Sequence, residues 1–116
     1  MQIDVKGRNV PVTDELREHV RKRFANIGKQ TPEFTRLEIE FSVERNPAIA
    51  DAHIVDAVLY LKGTTLRASD RSWDPEHAMN LCSHELTRQV KRDRDKRRRR
   101  REARVPGVAD QVSAAL

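Results

Sequence analysis

The segment "KRDRDKRRRRR", residues 91–101, holds nine basic residues against two acidic residues and is called the cationic segment below. Guanidinium and ammonium groups at this density catalyse no obvious reaction, but they pair with phosphates and release the counterions of polyanions. Residues 91–104 contain ten basic and three acidic residues (+7), so the rest of the chain, with thirteen basic and fifteen acidic residues, carries −2. The sequence therefore predicts a near-neutral body with one positive pole, and nucleic acid as its partner.

Backbone contacts by Lys and Arg fit this composition better than base reading. Aromatic residues make up 4% of the chain, which disfavours a stacking platform, and we expect Trp73 and Tyr60 to occupy core or half-buried positions. A solvated disordered tail and a targeting tag are the competing interpretations of the cationic segment. The predicted RNA-binding residues are Arg88, Lys91, Arg92, Arg94, Lys96, Arg97 and Arg98, with Arg23 and Lys29 as further candidates.

Other reactive residue types do not form a defensible site. His77, Cys82 and His84 are spaced i, i+5, i+7 on one predicted helix, which spreads them around it, whereas zinc needs converging ligands. The acidic residues Glu38 and Glu40 alternate along a predicted strand, which indicates its exposed face. We therefore predict no catalytic residues, no metal, no cofactor and no small-molecule substrate, and a protein that is not an enzyme.

The same sequence disfavours a membrane protein and a disulfide scaffold. No apolar stretch approaches the ~20 residues that span a bilayer, and no apolar face accompanies the cationic segment. Cys82 is the only cysteine, which suits a reducing cytosol and predicts a small core residue.

Two helices should position the cationic segment. The first is indicated by an apolar stripe of Leu16, Val20, Phe24 and Ile27, with Thr13 as its N-cap and Gly28 as its stop. The second helix starts at Asp74-Pro75 and should run to about residue 101, before Val105-Pro106-Gly107 ends it. Its apolar stripe stops at Val90, so we expect the last eleven residues, ~16 Å of helix, to project beyond the body.

Four strands complete the predicted domain. They are carried by "MQIDVKGR", by "RLEIEFSVER", where Leu37, Ile39, Phe41 and Val43 share one face, by "AHIVDAVLYLK" and by "TLRASDR", with a "GT" turn after Lys62. A right-handed crossover makes the first two strands parallel, and the rest join as antiparallel hairpins. The prediction is an α+β fold of order βαβββα: a four-stranded mixed sheet with two helices on one face.

The pattern up to about residue 101 resembles the ribosome hibernation promoting factor family, which includes the ribosome-associated inhibitor proteins. The resemblance is carried by "MQIDVKGRNVPVTDELREHVRKRFANI", "LRASDRSWDPEHAM" and "ELTRQVKRDRDK". Its most specific part is the step Arg88-Gln89-Val90-Lys91 followed by Asp95-Lys96. The stretch Asp74-Pro75-Glu76-His77 departs from the family, whose members often carry Asp, an apolar residue and Tyr there.

The resemblance implies a cytoplasmic factor of stress- or stationary-phase ribosomes. Such a factor binds the small subunit and its rRNA between head and body, occupies the space of messenger and of A- and P-site transfer RNA, and stops translation. It also implies that Arg88, Lys91, Arg92 and Lys96 contact rRNA backbone, while the further arginines extend that pattern. Long-form relatives pair ribosomes through a C-terminal domain, so dimerisation is expected only if the native chain continues into one.

We therefore expect residues 1–104 to form the ribosome-binding domain and residues 105–116 to form a flexible tail or the start of a linker. A general double-stranded RNA-binding module is the alternative function, because three strands followed by a basic helix are also found in that class. A protein-interaction domain with an incidental basic run is a further alternative.

Overall fold

The computed structural model describes residues 1–32, 35–46 and 48–103. The elements follow the order β1 (Gln2–Arg8), α1 (Asp14–Gln30), β2 (Arg36–Val43), β3 (His53–Leu61), β4 (Thr64–Ser72) and α2 (Pro75–Ala103). The predicted α+β class and βαβββα order are confirmed. The predicted tail, residues 105–116, lies outside the described residues, as does the predicted helix stop at Val105-Pro106-Gly107.

The four strands form one mixed sheet in the order β1-β2-β3-β4. β1 pairs with β2 in parallel, whereas β2–β3 and β3–β4 are antiparallel, as the crossover rule and the hairpins predict. Lys62 and Gly63 form the β3–β4 turn, one position before the predicted "GT", because Leu61 already pairs with Thr64. Gly63 has a φ of 83°, a backbone conformation that favours glycine.

One face of the sheet carries the core, and both helices pack there. Alternation along β2 buries Leu37, Ile39 and Phe41 and leaves Glu38 and Glu40 on the open face. Val43 shares the predicted inner face but is exposed, because β2 ends there. The buried residues that α1 and α2 bring to this core are Val20, Phe24, Ile27, Ala78, Met79, Cys82, Leu86 and Val90.

The two helices lie side by side and run in the same direction. His19 contacts Glu76 near their starts (Nδ1–Oε1 2.7 Å), and the Ser83 hydroxyl reaches the Arg23 carbonyl further along (3.4 Å). At their far ends, Gln30 and Arg94 line one cleft. The C-terminal end of α1 is therefore brought next to the cationic segment.

Gly28 does not end α1, contrary to the prediction. The helix continues to Gln30, and Thr31 follows in an extended conformation (φ −119°, ψ 158°). Pro32 accounts for this end, since a proline disfavours helical backbone at the residue before it. The predicted helix starts are confirmed: the Thr13 hydroxyl accepts from the Leu16 amide (3.1 Å), and an Asp74 carboxylate oxygen accepts from the His77 amide (3.2 Å).

Candidate nucleic-acid interface

The cationic segment is a continuation of α2 and not a separate element. The helix spans 29 residues, about 43 Å at 1.5 Å per residue. Its first half is held to the sheet by buried side chains that end at Val90. Because Arg, Lys and Asp do not interrupt a helix, the backbone runs on to Ala103 without a break.

The helix remains attached to the body beyond Val90, further than the apolar stripe predicts. Arg97 pairs with Asp93 (Nε–Oδ2 3.0 Å) and donates from Nη2 to the backbone oxygen of Lys62 in the β3–β4 turn (3.2 Å). The part of α2 that projects within the described chain is therefore residues 98–103, about 9 Å rather than 16 Å. Beyond Val90 the helix is therefore held to the body by the polar contacts of Arg97 instead of by apolar side chains.

Most predicted site residues are exposed on this helix, and Arg97 is the exception. Its side chain is 38% exposed and already has two partners. Arg88 pairs with Glu85 but keeps 73% of its side chain in solvent. The exposed members of the predicted set on α2 are Arg88, Lys91, Arg92, Arg94, Lys96 and Arg98.

The cations border two opposite flanks of the helix. Arg94, Arg98 and Arg101 line a cleft of about 390 Å³ whose other wall is the end of α1. On another flank, Arg92, Lys96 and Arg99 border a shallow surface that reaches Ala103. A helix with guanidinium groups on both sides can contact phosphates from two directions.

The two predicted residues on α1 lie in different places. Lys29 is exposed on the last turn of α1, next to Gln30 in the wall of that cleft. Arg23 borders a groove with Met79 and Asn80, at the first half of α2. Arg23 also meets α2 at Ser83, eight residues before Lys91, so it lies about 12 Å from the start of the cationic segment along the helix.

Three acidic residues of the open sheet face form ion pairs. Glu40 binds Arg8 (3.1 Å), and Arg36 bridges Asp4 (2.9 Å) and Glu38. The hydrogen bond that Arg36 donates to Asp4 and the negative charge of Glu38 raise the pKa of Arg36. This face is a network of paired charges, which agrees with the interpretation of Glu38 and Glu40 as exposed strand positions.

Cys82 is a core residue, as predicted. It is fully buried and its thiol contacts the Ala68 carbonyl (3.6 Å). Burial, followed by the charges of Asp70 and Asp56, raises the pKa of the Cys82 thiol to about 12, which removes its nucleophilic character near neutral pH. Within residues 1–32, 35–46 and 48–103, no three His, Cys, Asp or Glu side chains converge as metal ligands would, and no helix is apolar and long enough to cross a membrane.

Trp73 is the residue that sequence reasoning placed wrongly. It is 67% exposed and stacks on His77, with ring centroids 4.3 Å apart and an interplanar angle of 27°. Tyr60, at 39% exposure, lies on the open sheet face, where its hydroxyl donates to Glu38 (3.1 Å). The sequence contained one signal for this stacked pair: Trp73 and His77 are four residues apart at the start of a helix.

The Asp70 carboxylate lies near Arg88, and its ionised form is unfavourable for the stability of the fold. It faces α2 from β4, and its Oδ2 is buried with no hydrogen-bond partner. Burial, then the charge of Glu85, raises the pKa of Asp70, while Arg88 opposes the shift. A folded pKa above the unfolded value gives stability that is present below the unfolded pKa and is lost as the pH rises through the folded pKa.

We therefore expect Asp70→Asn to raise the free energy of unfolding near neutral pH by about 1 kcal/mol, because it removes a buried unpaired charge. Below the usual aspartate pKa of about 3.9 the gain should vanish, since Asp70 is then protonated. Thermal unfolding across this pH range measures both, with Asp56→Asn on the open sheet face as the control. A gain of equal size at both ends of the range would contradict this account.

A mixed four-stranded sheet with two parallel helices on one face and an exposed cationic helix end defines a small α+β domain of the βαβββα class. The chain belongs to the Sigma 54 modulation protein / S30EA ribosomal protein family, whose model matches residues 3–98. The resemblance stated from the sequence is thereby confirmed. Arg99, Arg100 and Arg101 lie beyond the matched residues.

Curated relatives of the chain are named ribosome hibernation promoting or promotion factors. The chain is 31% identical over 96 residues to the ribosome hibernation promoting factor of Salmonella typhimurium, covering 83% of this chain and 96% of the relative. It is 29% identical to that of Escherichia coli K12, with the same coverage. Against the ribosome hibernation promotion factor of a Picosynechococcus species it is 27% identical over 97 residues, which is 83% of this chain but only 50% of the relative.

Solved structures share the fold. A ribosomal subunit interface protein from Coxiella burnetii superposes with a TM-score of 0.69 at 24% identity, covering 82% of this chain and 99% of the other. The N-terminal domain of Protein Y from Thermus thermophilus also gives 0.69 at 24% identity, covering 79% and 98%. At this identity the likeness establishes the fold and nothing further.

Proposed function

We propose that this protein is a ribosome hibernation factor that binds the small subunit in the decoding channel. Residues 88–101 of α2 lie against rRNA backbone there, and the body fills the space of messenger and of A- and P-site transfer RNA. Translation is inhibited by steric occupation, without an enzymatic step. The carrying observation is that α2 extends unbroken from the core to Ala103 with exposed cations on two flanks.

Membership of the family supports the ribosome as the partner, and the charge distribution supports RNA as the contacted surface. Six cations of α2 from Arg88 to Arg98 are exposed, and two of the acids near them are already paired: Asp93 with Arg97 and Glu85 with Arg88. Hydrogen bonds from Arg88 and Gln89 lower the pKa of Glu85, so it stays ionised and holds Arg88 in place. The cytoplasm, where ribosomes work, is the proposed location.

Cosedimentation tests this function directly. The protein should sediment with vacant ribosomes and with small subunits, and messenger with initiator transfer RNA should displace it. Equal affinity for any duplex RNA, without displacement, would instead identify a general double-stranded RNA-binding module. Pairing of ribosomes is proposed only for a native chain that continues into a C-terminal domain.

Salt dependence distinguishes the cations that contact phosphate from those that serve the fold. If six cations contact phosphates, the logarithm of the binding constant for small subunits should fall with the logarithm of salt concentration with a slope of about −5. Arg98→Gln should make the slope shallower by about 0.9, because an exposed phosphate contact is lost.

Arg97→Gln is the matched control for that measurement. It removes the same charge one residue away, but Arg97 is occupied by Asp93 and by the Lys62 carbonyl. We expect its slope to match the wild type. Equal changes of slope for the two variants would show that the helix acts through its net charge and that the assignment of individual residues is wrong.

A further inference from the structure

Trp73 is an exposed aromatic residue held in one orientation. It is the only tryptophan of the chain, and two thirds of it lies in solvent while His77 stacks against its ring. An indole that is two-thirds exposed gains little burial energy for the fold. Its position therefore calls for a reason other than core packing.

The surrounding contacts pre-organise this ring. Ser72, immediately before it, is buried, and its hydroxyl contacts His77 Nδ1 (2.5 Å). Asp74, immediately after it, caps α2 by accepting from the His77 amide (3.2 Å). Both the backbone around Trp73 and the ring that supports it are fixed, so a ligand that stacks on the indole loses little entropy in ordering it.

The same side of α2 leads from this ring to the predicted RNA contacts. His77, Leu81, His84, Arg88 and Arg92 follow at intervals of three or four residues, which places them along one strip of the helix. From His77 to Arg92 the strip is about 22 Å long. The aromatic pair stands at one end of it and the exposed guanidinium groups stand at the other.

The chemistry of this strip favours RNA over a protein partner. Its exposed apolar side chains are Trp73 and Leu81, interrupted by imidazoles, whereas a protein-docking patch is contiguous and larger. An isolated aromatic ring beside basic groups is the arrangement on which unpaired nucleobases stack.

We propose that Trp73 is a nucleobase-stacking platform, with His77 as its positioning residue, that binds an unpaired base of the small-subunit rRNA while residues 88–101 bind the phosphates. The inference rests on the proposed function, because it takes rRNA as the ligand. It adds a base contact to an interface that the sequence suggested to be made of backbone contacts alone.

Tryptophan fluorescence tests the contact, because Trp73 is the only source of the signal. Protein-free small-subunit rRNA should quench it saturably, since a base stacked on the excited indole quenches it by electron transfer. Inorganic polyphosphate, which carries the charge but no base, should bind the cationic segment and leave the emission unchanged. Equal quenching by both polyanions, or none by rRNA, would overturn the platform.

Affinity for vacant small subunits provides the second measurement. Trp73→Ala should weaken binding by about 5- to 150-fold, the range for loss of one base–aromatic stack, and Trp73→Phe should restore most of it. His77→Ala should fall between them. The melting temperature of each variant controls for folding.

The outcomes separate this proposal from the proposed function. Wild-type affinity of Trp73→Ala, together with lost affinity of a charge-reversed cationic segment, would overturn the platform and leave the ribosome-binding function intact. If Trp73→Ala weakens binding to subunits but not to protein-free rRNA, the ring contacts a ribosomal protein and the platform is wrong. A wild-type protein that does not bind small subunits at all would overturn the proposed function itself.

Discussion

Reversing three charges on α2, with Arg88→Glu, Lys91→Glu and Arg92→Glu combined, should abolish inhibition of translation in vitro. Affinity for vacant small subunits should fall by at least about 1,000-fold, because three phosphate contacts become three repulsions and like charges at an interface cost several kcal/mol. The fold should persist, since all three side chains are exposed and the core contacts of Leu86 and Val90 are untouched. Filter binding and a reporter translation assay measure the two effects.

A second charge-reversed triple makes this test specific. Lys6→Glu, Arg45→Glu and Arg67→Glu change the net charge by the same amount, from +5 to −1, but lie on the open sheet face and in the loop after β2. We expect this variant to remain within about tenfold of the wild type, because only the long-range field has changed. Equal losses of affinity for both triple variants would show that the ribosome contact is not specific to α2.

A proline in the cationic segment should separate its charge from its rigidity. Asp95→Pro removes the amide that bonds to the carbonyl four residues earlier and clashes with that carbonyl, at a cost of about 3 kcal/mol. The helix beyond it should kink away from the β3–β4 turn, so Arg97 loses its contact with Lys62. Restoring the straight helix on the ribosome then costs about the same energy, which predicts about a 100-fold loss of affinity.

Electrostatics alone predicts the opposite result, because Asp95→Pro removes a negative charge and makes the chain more cationic. Asp95→Ala is the matched control, since it makes the same charge change and favours the helix. It should bind small subunits at least as tightly as the wild type. If the proline variant binds like the alanine variant, the cationic segment acts as a flexible polyelectrolyte and the rigid geometry is irrelevant.

The core prediction succeeded because its signals are local. The stripe of Val20, Phe24 and Ile27 on α1 and the alternation of Leu37, Ile39 and Phe41 on β2 each report one buried face. Because each strand and each helix has a single apolar face, both helices must cover the same face of the sheet. The prediction that α1 ends at Gly28 was wrong, because a glycine permits a helix end but does not require one. The end is set by Pro32, which disfavours helical backbone at Thr31.

The candidate site was predicted only as a set of charges. Which cations are available depends on acids and carbonyls that are distant in the chain: Arg97 is occupied by a carbonyl 35 residues earlier. Trp73 was expected in a core or half-buried position, because tryptophan is highly buried on average, and nothing local shows that its ring stacks on His77 in solvent.

By itself the sequence determined the types and order of the elements, their buried faces and the positive pole at the end of α2, because periodicity, capping and charge are properties of neighbouring residues. The tertiary structure alone decided that α1 and α2 run in parallel, that the cationic segment is anchored at Arg97, and that Trp73 faces solvent. Those features arise from contacts between residues far apart in the chain, and such contacts exist only once the sheet and helices have packed together.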